Sequence, residues 1–274
     1  MNDDLDYLTV RERRFLKIQS ERLGECIASF NRPGSGLYGI FLSEAAYSQL
    51  GSIEFIRQLS SLRGVIITAT GVDLAPLHDQ ALLEYIQIEQ TESRLDISVF
   101  DNLKELRCYW GGDIVGLGRT SLRRLAIWKY GDRSTNDLTN LNLPSSLCSI
   151  ELIQSRIESL NGLKDLPYLE EVSLHYLAQL KDIGALRHLP SLRYLHMEKC
   201  KSVASYQVLG LCSGLHIVDL ESCAPIHDFM FLHNLSSLTE LYFAGTKVDS
   251  LPNFANFGAH LKKVVGTSGR RIEF

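Results

Sequence analysis

The chain has 274 residues, of which 45% are hydrophobic and 22% are charged, with a formal net charge of −4 and a pI near 6.1. A chain of this length and apolar content can bury a continuous core. The lack of a basic excess argues against a general nucleic-acid or anionic-membrane binder, and without an apolar run of about 18 residues the sequence predicts no membrane span.

Residues 1–36 are predicted to form an N-terminal cap. They begin MNDDLDYLTV, which is acidic where a signal peptide would be basic and then apolar. We therefore expect a cytoplasmic protein, unless it is exported by a system that needs no such signal. Leu16, Leu23, Ile27 and Phe30 recur at helical spacing between charged residues, which is typical of an amphipathic helix. Residues 13–18 fit a first strand equally well.

From residue 37 onward one unit recurs along the chain. Residues 147–169 show it completely, as L-x-x-I-x-L-x-x-S-x-I-x-x-L-x-x-L-x-x-L-P-x-L. The alternation around Ile150 and Leu152 predicts a strand, and the later steps of three predict a helical or 3-10 return segment. The first leucines of the copies are Leu37, Leu62, Leu83, Leu103, Leu122, Leu147, Leu169, Leu192, Leu215, Leu238 and Leu261.

This pattern resembles the leucine-rich-repeat superfamily, and its regular half is similar to the short repeats of bacterial internalins. The resemblance implies an α/β solenoid, a horseshoe with a parallel concave sheet of about 11 strands and short helical or 3-10 convex segments. We predict an N-terminal cap over residues 1–36, repeats over 37–260, and a last strand with a C-terminal cap over 261–274.

The chain departs from the family at the asparagine that usually ends the strand motif. The matching positions are Thr70, Thr91, Gly111, Tyr130, Ser155, Leu177, Cys200, Cys223 and Thr246. Small polar side chains can still bond backbone groups in the turn. We therefore expect a weakened ladder of side-chain hydrogen bonds between neighbouring repeats.

Alternate strand residues point to opposite faces, so the residues between the core positions should project from the concave face. At the central exposed position these are Ile66, Gln87, Arg107, Ala126, Glu151, Ser173, His196, Asp219, Tyr242 and Val265. Both tryptophans of the chain fall on this face or beside it, near basic side chains, and farther along the face becomes acidic and rich in histidine. Exposed aromatic residues beside arginine have the composition of an interface hot spot.

We predict that a protein partner binds this face. The predicted partner-binding residues are Arg107, Tyr109, Trp110, Trp128, Lys129, Glu151, His175, Tyr176, His196, Glu198, Asp219, Glu221 and Tyr242. The polar insertion at residues 131–142 is a second candidate surface, since insertions in repeat proteins form surface loops.

Enzymatic readings of the same face are weaker. Ser173, His196 and Asp219 follow one another in a row and imitate a nucleophile, base and acid, but a flat row offers no oxyanion hole. The cluster has zinc-ligand residue types without a diagnostic spacing. The sequence thus predicts no catalytic residue, metal ion or cofactor, and a hydrolase or metal enzyme at this cluster remains the alternative.

The predicted function is a non-catalytic interaction module that is monomeric when free and binds neither nucleic acid nor membrane. Similar stand-alone bacterial repeat proteins include immunity proteins that neutralise a toxin, so the resemblance implies an inhibitor or immunity protein. The rival within binding is a secreted effector that engages a host protein.

Overall fold

A computed structural model describes residues 5–89, 94–111, 114–131 and 134–274. The chain forms two compact units, Met1–Leu122 and Arg123–Phe274, which are called unit 1 and unit 2 below. No helix within the described ranges is long and apolar enough to cross a bilayer.

Unit 1 begins with a hairpin and a helix. Strand β1 (Tyr7–Val10) pairs antiparallel with β2 (Arg13–Lys17), and helix α1 (Leu23–Asn31) follows. The strand that the sequence left as an alternative over residues 13–18 is therefore formed by Arg13–Lys17, while the α-helix begins only at Leu23. The helix buries Cys26, Ser29 and Phe30 along one side.

The repeats of unit 1 add parallel strands to β2. They are β3 (Gly39–Leu42), β4 (Gly64–Ile67), β5 (Tyr85–Ile88) and β7 (Glu105–Tyr109), joined in the order β2-β3-β4-β5-β7. The first return segment contains helix α2 (Glu44–Leu50), which begins where the Ser43 hydroxyl accepts from the Ala46 amide and ends at Gly51 with φ of 68°. Short strands β6 (Leu95–Asp96) and β8 (Ile114–Val115) pair on the return side.

Unit 2 is a regular parallel sheet. Its strands are β9 (Arg124–Trp128), β10 (Ser149–Ile153), β11 (Glu171–His175), β12 (Tyr194–Glu198), β13 (Ile217–Glu221), β14 (Glu240–Tyr242) and β15 (Lys263–Val265). The return segments carry 3-10 turns at Thr139–Leu141, Gly184–His188, Gln207–Leu211, Met230–Asn234 and Phe254–Phe257. Within the described residues each of the predicted repeat copies supplies one parallel strand, so the predicted sheet and its 3-10 return segments are confirmed.

The core lies under the strand positions that the repeat pattern marks as apolar. Ile150, Val172, Leu195 and Val218 are paired across neighbouring strands and are fully buried. A second buried row two residues on contains Leu152, Leu174, Met197 and Leu220. These rows turn the spacing of the sequence directly into a layered core.

At the position that follows each strand motif, hydroxyl groups and thiols form part of the expected ladder of hydrogen bonds between repeats. The buried Ser155 Oγ accepts from the Tyr130 amide at 3.2 Å, and Thr246 Oγ1 accepts from the Cys223 amide at 2.8 Å. The Cys200 and Cys223 thiols donate to carbonyls of the preceding repeat. These side chains form hydrogen bonds between neighbouring repeats at the positions where the resemblance led us to expect asparagine; the predicted position at Thr91 lies outside the described residues.

A left-handed turn closes the strand in successive copies of unit 2. Lys129, Gln154, Tyr176, Lys199 and Ser222 have φ between 51° and 59°, and Gly245 follows the series with φ of 68°. The amide of each bonds a carbonyl of the next repeat; the Gln154 N to His175 O distance is 2.9 Å. The repeated turn thus joins neighbouring layers, although non-glycine residues are disfavoured in this conformation.

We expect Gln154→Val to lower the free energy of unfolding by about 1–2 kcal/mol, because a β-branched residue is poorly tolerated at positive φ. Gln154 is exposed, so little side-chain packing is lost. Gln154→Gly at the same position should match or slightly exceed the wild type. Urea unfolding of the three proteins would measure both changes. Equal stability of the valine and glycine variants would show that the positive φ at residue 154 does not strain the valine backbone.

Candidate partner-binding face

The open face of unit 2 is the side of its sheet opposite the leucine-rich core. Strand register places its side chains in two rows. The first row is Ala126, Glu151, Ser173, His196, Asp219, Tyr242 and Val265, and the second is Trp128, Ile153, His175, Glu198 and Glu221. The register therefore brings most of the predicted partner-binding residues of unit 2 onto one surface.

The two histidines at the centre of this face are each held by carboxylates. His196 Nδ1 lies 3.0 Å from Asp219 Oδ2, and His175 Nδ1 lies 3.2 Å from Glu198 Oε2. The other nitrogen of His175, Nε2, is 3.7 Å from Glu151 Oε1. The imidazole centroids are 4.9 Å apart. All five side chains are half-buried, so the network is fixed by its neighbours but still open to solvent.

The acidic surroundings shift two of these groups. The hydrogen bond to Asp219 raises the pKa of His196 above its ordinary value, against the opposing effect of burial. The pKa of Glu198 is lowered, first by a hydrogen bond with the Tyr176 hydroxyl and then by the bond to His175. Both shifts favour the charged forms of these two side chains.

Two tyrosines border the acidic centre. Tyr176 is exposed, and the Lys199 Nζ lies 4.6 Å from its ring centroid and 3.3 Å from its hydroxyl. Tyr242 is packed in the same way by Lys263, at 4.9 Å, and its hydroxyl bonds Glu240. Each ring is therefore ordered by a neighbouring lysine while one surface stays available for contact.

In the row of Ser173, His196 and Asp219, the hydrogen bond that is present joins the last two residues. Register makes the three residues consecutive, and the His196–Asp219 bond is present. Among the described residues no hydrogen bond joins the Ser173 hydroxyl to His196. The His196–Asp219 bond orients the imidazole of His196.

The predicted aromatic and basic residues are divided between the two units. Arg107 and Tyr109 lie on β7 and Trp110 directly follows it in unit 1, where all three are half-buried. Trp128 ends β9 in unit 2, beside Ile153 of β10, and the exposed Lys129 occupies the left-handed turn that follows. Their role in binding a partner stays a prediction.

The open face of unit 1 is partly closed by its own side chains, which the sequence did not reveal. Phe15 and Tyr85 pack with their ring centroids 5.7 Å apart, and Ile66 is buried beside them. Ile66 was expected to be exposed, so that expectation is wrong; Ala126 of unit 2 is buried as well. The sequence feature that could have indicated this packing is the pair Gly39 and Gly64, because their missing side chains leave room for the Phe15 ring.

A buried carboxylate lies on the same side of unit 1. Glu105, 2% exposed, is surrounded by arginines: its Oε1 is 2.8 Å from Arg11 Nη1 and 3.9 Å from Arg107 Nη1, and its Oε2 is 3.8 Å from Arg13 Nη1. Arg107 therefore faces Glu105, an internal partner that the sequence analysis did not assign to it. The ion pairs attach the β1–β2 hairpin to β7.

The insertion at residues 131–142 is described except for residues 132 and 133. Leu138 and Leu141 are buried, which anchors its second half, whereas residues 134–136 are exposed. The Leu138 amide donates to the Asn161 carbonyl at 2.9 Å. This segment is thus tied to the next return segment of unit 2.

No protein-family model and no curated protein sequence matches the chain. Among solved structures, an internalin, InlF, of Listeria monocytogenes is similar at 15% identity over 84% of this chain and 67% of the other, with a TM-score of 0.57. An internalin C2 of the same species shows 18% identity over 78% and 74%, with a TM-score of 0.38. A leucine-rich-repeat protein of Leptospira interrogans shows 13% over 81% and 71%, with a TM-score of 0.42. The similarity to InlF shows a shared fold.

Proposed function

From the internalin-like leucine-rich-repeat fold, we propose that this chain is a non-catalytic protein-binding module whose open face in unit 2 holds a basic surface of a partner. The observation that carries this proposal is the concentration of Glu151, Glu198, Asp219 and Glu221 on one face, within a span of four neighbouring strands. Such a face steers a positively charged partner toward it and disfavours acidic ones.

Size and composition support the same proposal. Seven strands at about 4.8 Å each give unit 2 a face roughly 30 Å wide, which accommodates one side of an ordinary protein interface. Tyr176, Tyr242 and Trp128 add aromatic surface around the charges, and aromatic residues are enriched at binding hot spots. Within this function we favour an inhibitor or immunity protein that occupies a basic site on a toxin; an effector acting on a host protein is the alternative.

The test is a pull-down from the source organism with matched charge reversals. Glu221→Lys changes an exposed residue of the acidic face, and Asp165→Lys makes the same change at an exposed residue of a return segment. We expect Glu221→Lys to weaken capture of the partner by about tenfold or more, because a like charge is placed opposite its basic surface. Asp165→Lys should capture it as the wild type does.

Equal capture by both variants would place the interface elsewhere. Circular dichroism on each protein checks that the loss is not due to unfolding. If the captured partner is toxic when expressed alone, and co-expression of this chain restores growth while Glu221→Lys does not, the inhibitor role is supported. A harmless partner would instead favour the effector or an adaptor.

A further inference from the structure

We propose that His175, His196 and Glu198 form a site for a divalent transition-metal ion, most suitably Zn²⁺, on the open face of unit 2. One ligand atom from each of the three residues lies within 4.8 Å of the others. Spacing along the chain did not indicate this site, because the residues come from two adjacent strands of a regular sheet. The inference is independent of the proposed partner function.

The first pair already has the spacing of two ligands on one ion. His175 Nδ1 and Glu198 Oε2 are 3.2 Å apart, close to the ~3.4 Å expected for two ligand atoms bonded tetrahedrally to zinc at about 2.1 Å. The other oxygen of Glu198, Oε1, lies 3.7 Å from Lys199 Nζ, and the Tyr176 hydroxyl also hydrogen-bonds this carboxylate. A bound ion would replace the direct contact between the two side chains.

His196 is prepared as the third ligand. Its Nδ1 is held by Asp219 at 3.0 Å, so Nε2 is the nitrogen whose lone pair is left to bind. Metal-bound histidines usually give their other ring nitrogen to a carboxylate, which fixes the ring and raises its basicity. Glu151 Oε1 lies 3.7 Å from His175 Nε2, which is beyond hydrogen-bond distance but close enough for electrostatic attraction. The Nδ1 atom of His175 therefore lies toward the cluster, and each imidazole has an outer carboxylate near its other side.

Charge and access agree with this assignment. Glu151, Glu198, Asp219 and Glu221 lie on the same face, and a doubly charged cation among them is favoured electrostatically. The three ligands are half-buried rather than enclosed, so an ion can enter and a fourth position stays open to solvent. Two imidazoles with one carboxylate form a donor set that suits zinc.

The test uses the full chain without a histidine tag, treated with a chelator and then titrated with Zn²⁺ alone by calorimetry. We expect one ion per chain, and a loss of affinity of at least about 100-fold in His175→Gln and in His196→Gln. Asp219→Asn should weaken binding by about 10- to 100-fold, as the loss of an outer-sphere carboxylate does. Co²⁺ in place of Zn²⁺ should give visible d–d absorption that is lost in the same variants.

His227→Gln is the matched control, because His227 Nδ1 is also paired with a carboxylate, Asp249 Oδ2 at 2.9 Å, but the side chain is largely exposed and, within the described part of the chain, belongs to no group of three potential metal ligands. Its zinc affinity should equal that of the wild type. Absence of stoichiometric binding to the wild type, or binding that survives in His175→Gln and His196→Gln, would overturn the site and leave the cluster as plain histidine–carboxylate pairs. Capture of a protein partner in the pull-down does not depend on either result.

Discussion

Gly39→Ala should destabilise unit 1 by about 3 kcal/mol or more, since the added methyl group has no room. A Cβ at Gly39 would lie 2.0 Å from the carbonyl oxygen of Gly64 on the neighbouring strand and 2.8 Å from the Phe15 ring. The carbonyl belongs to the backbone and cannot rotate away without disturbing the pairing of β3 with β4. Urea unfolding followed by far-ultraviolet circular dichroism would measure the loss.

Two other glycines of unit 1 provide graded controls. At Gly64 a Cβ would meet ring carbons of Tyr38 and Phe15 at 2.6 and 2.8 Å, so the loss should be smaller because side chains can shift. Gly24 lies in α1 with nothing within 4 Å, so Gly24→Ala should raise stability by up to about 1 kcal/mol. Equal effects of Gly39→Ala and Gly24→Ala would show that the close approach of β3 and β4 does not limit this site.

The repeat spacing predicted the layered core because one physical rule governs all copies. Ile150 and Leu152 alternate with Glu151, so the sheet can bury one face only, and the steps of three from Ile157 to Leu166 turn the chain back over that face. At the start of the chain the same spacing rule did not decide between a strand and a helix. Around Leu16 the apolar residues fit both periods, and only pairing with β3 selects the strand.

Contacts between distant copies could not be predicted in this way. Ile66 sits at a position that is solvent-facing in other copies, but the Phe15 ring from the hairpin covers it. Arg107 was expected to meet a partner, and its Nη1 also lies 3.9 Å from Oε1 of the buried Glu105; a period of two residues places the two side chains on one face but does not reveal that Glu105 is buried. For Ile66, tertiary packing overrides the local pattern, whereas the role of Arg107 in partner binding stays a prediction.

On the acidic face the residue types could be predicted from the sequence, but the distances between their side chains are known only from the folded sheet. Strand register could place His175 and Glu198 side by side, but not the choice of ring nitrogen or of carboxylate oxygen. Which nitrogen and which oxygen face each other decides whether these residues are only solvated charges or a cluster able to hold an ion. Partner binding and metal binding therefore draw on overlapping residues, and Glu221 lies outside the three proposed metal ligands.

Thr246→Val should lower the free energy of unfolding by about 2–3 kcal/mol, because it removes a buried hydroxyl without creating a cavity. Thr246 is fully buried; its Oγ1 accepts from the Cys223 amide at 2.8 Å and donates to the Leu220 carbonyl. Valine has nearly the same shape and leaves both backbone groups without this partner. Hydrogen exchange should show faster exchange of the Cys223 amide, and urea unfolding would measure the total loss.

Thr246→Ser distinguishes the stability contributed by the hydroxyl from that contributed by the methyl group. It keeps both hydrogen bonds and loses one buried methyl, so its cost should be about 1 kcal/mol. Thr246→Asn would restore the residue type usual at this turn, and it should keep the Cys223 amide protected if the longer side chain is accommodated. A valine variant as stable as the serine variant would mean that the rebuilt ladder contributes little, and that apolar packing alone joins these repeats.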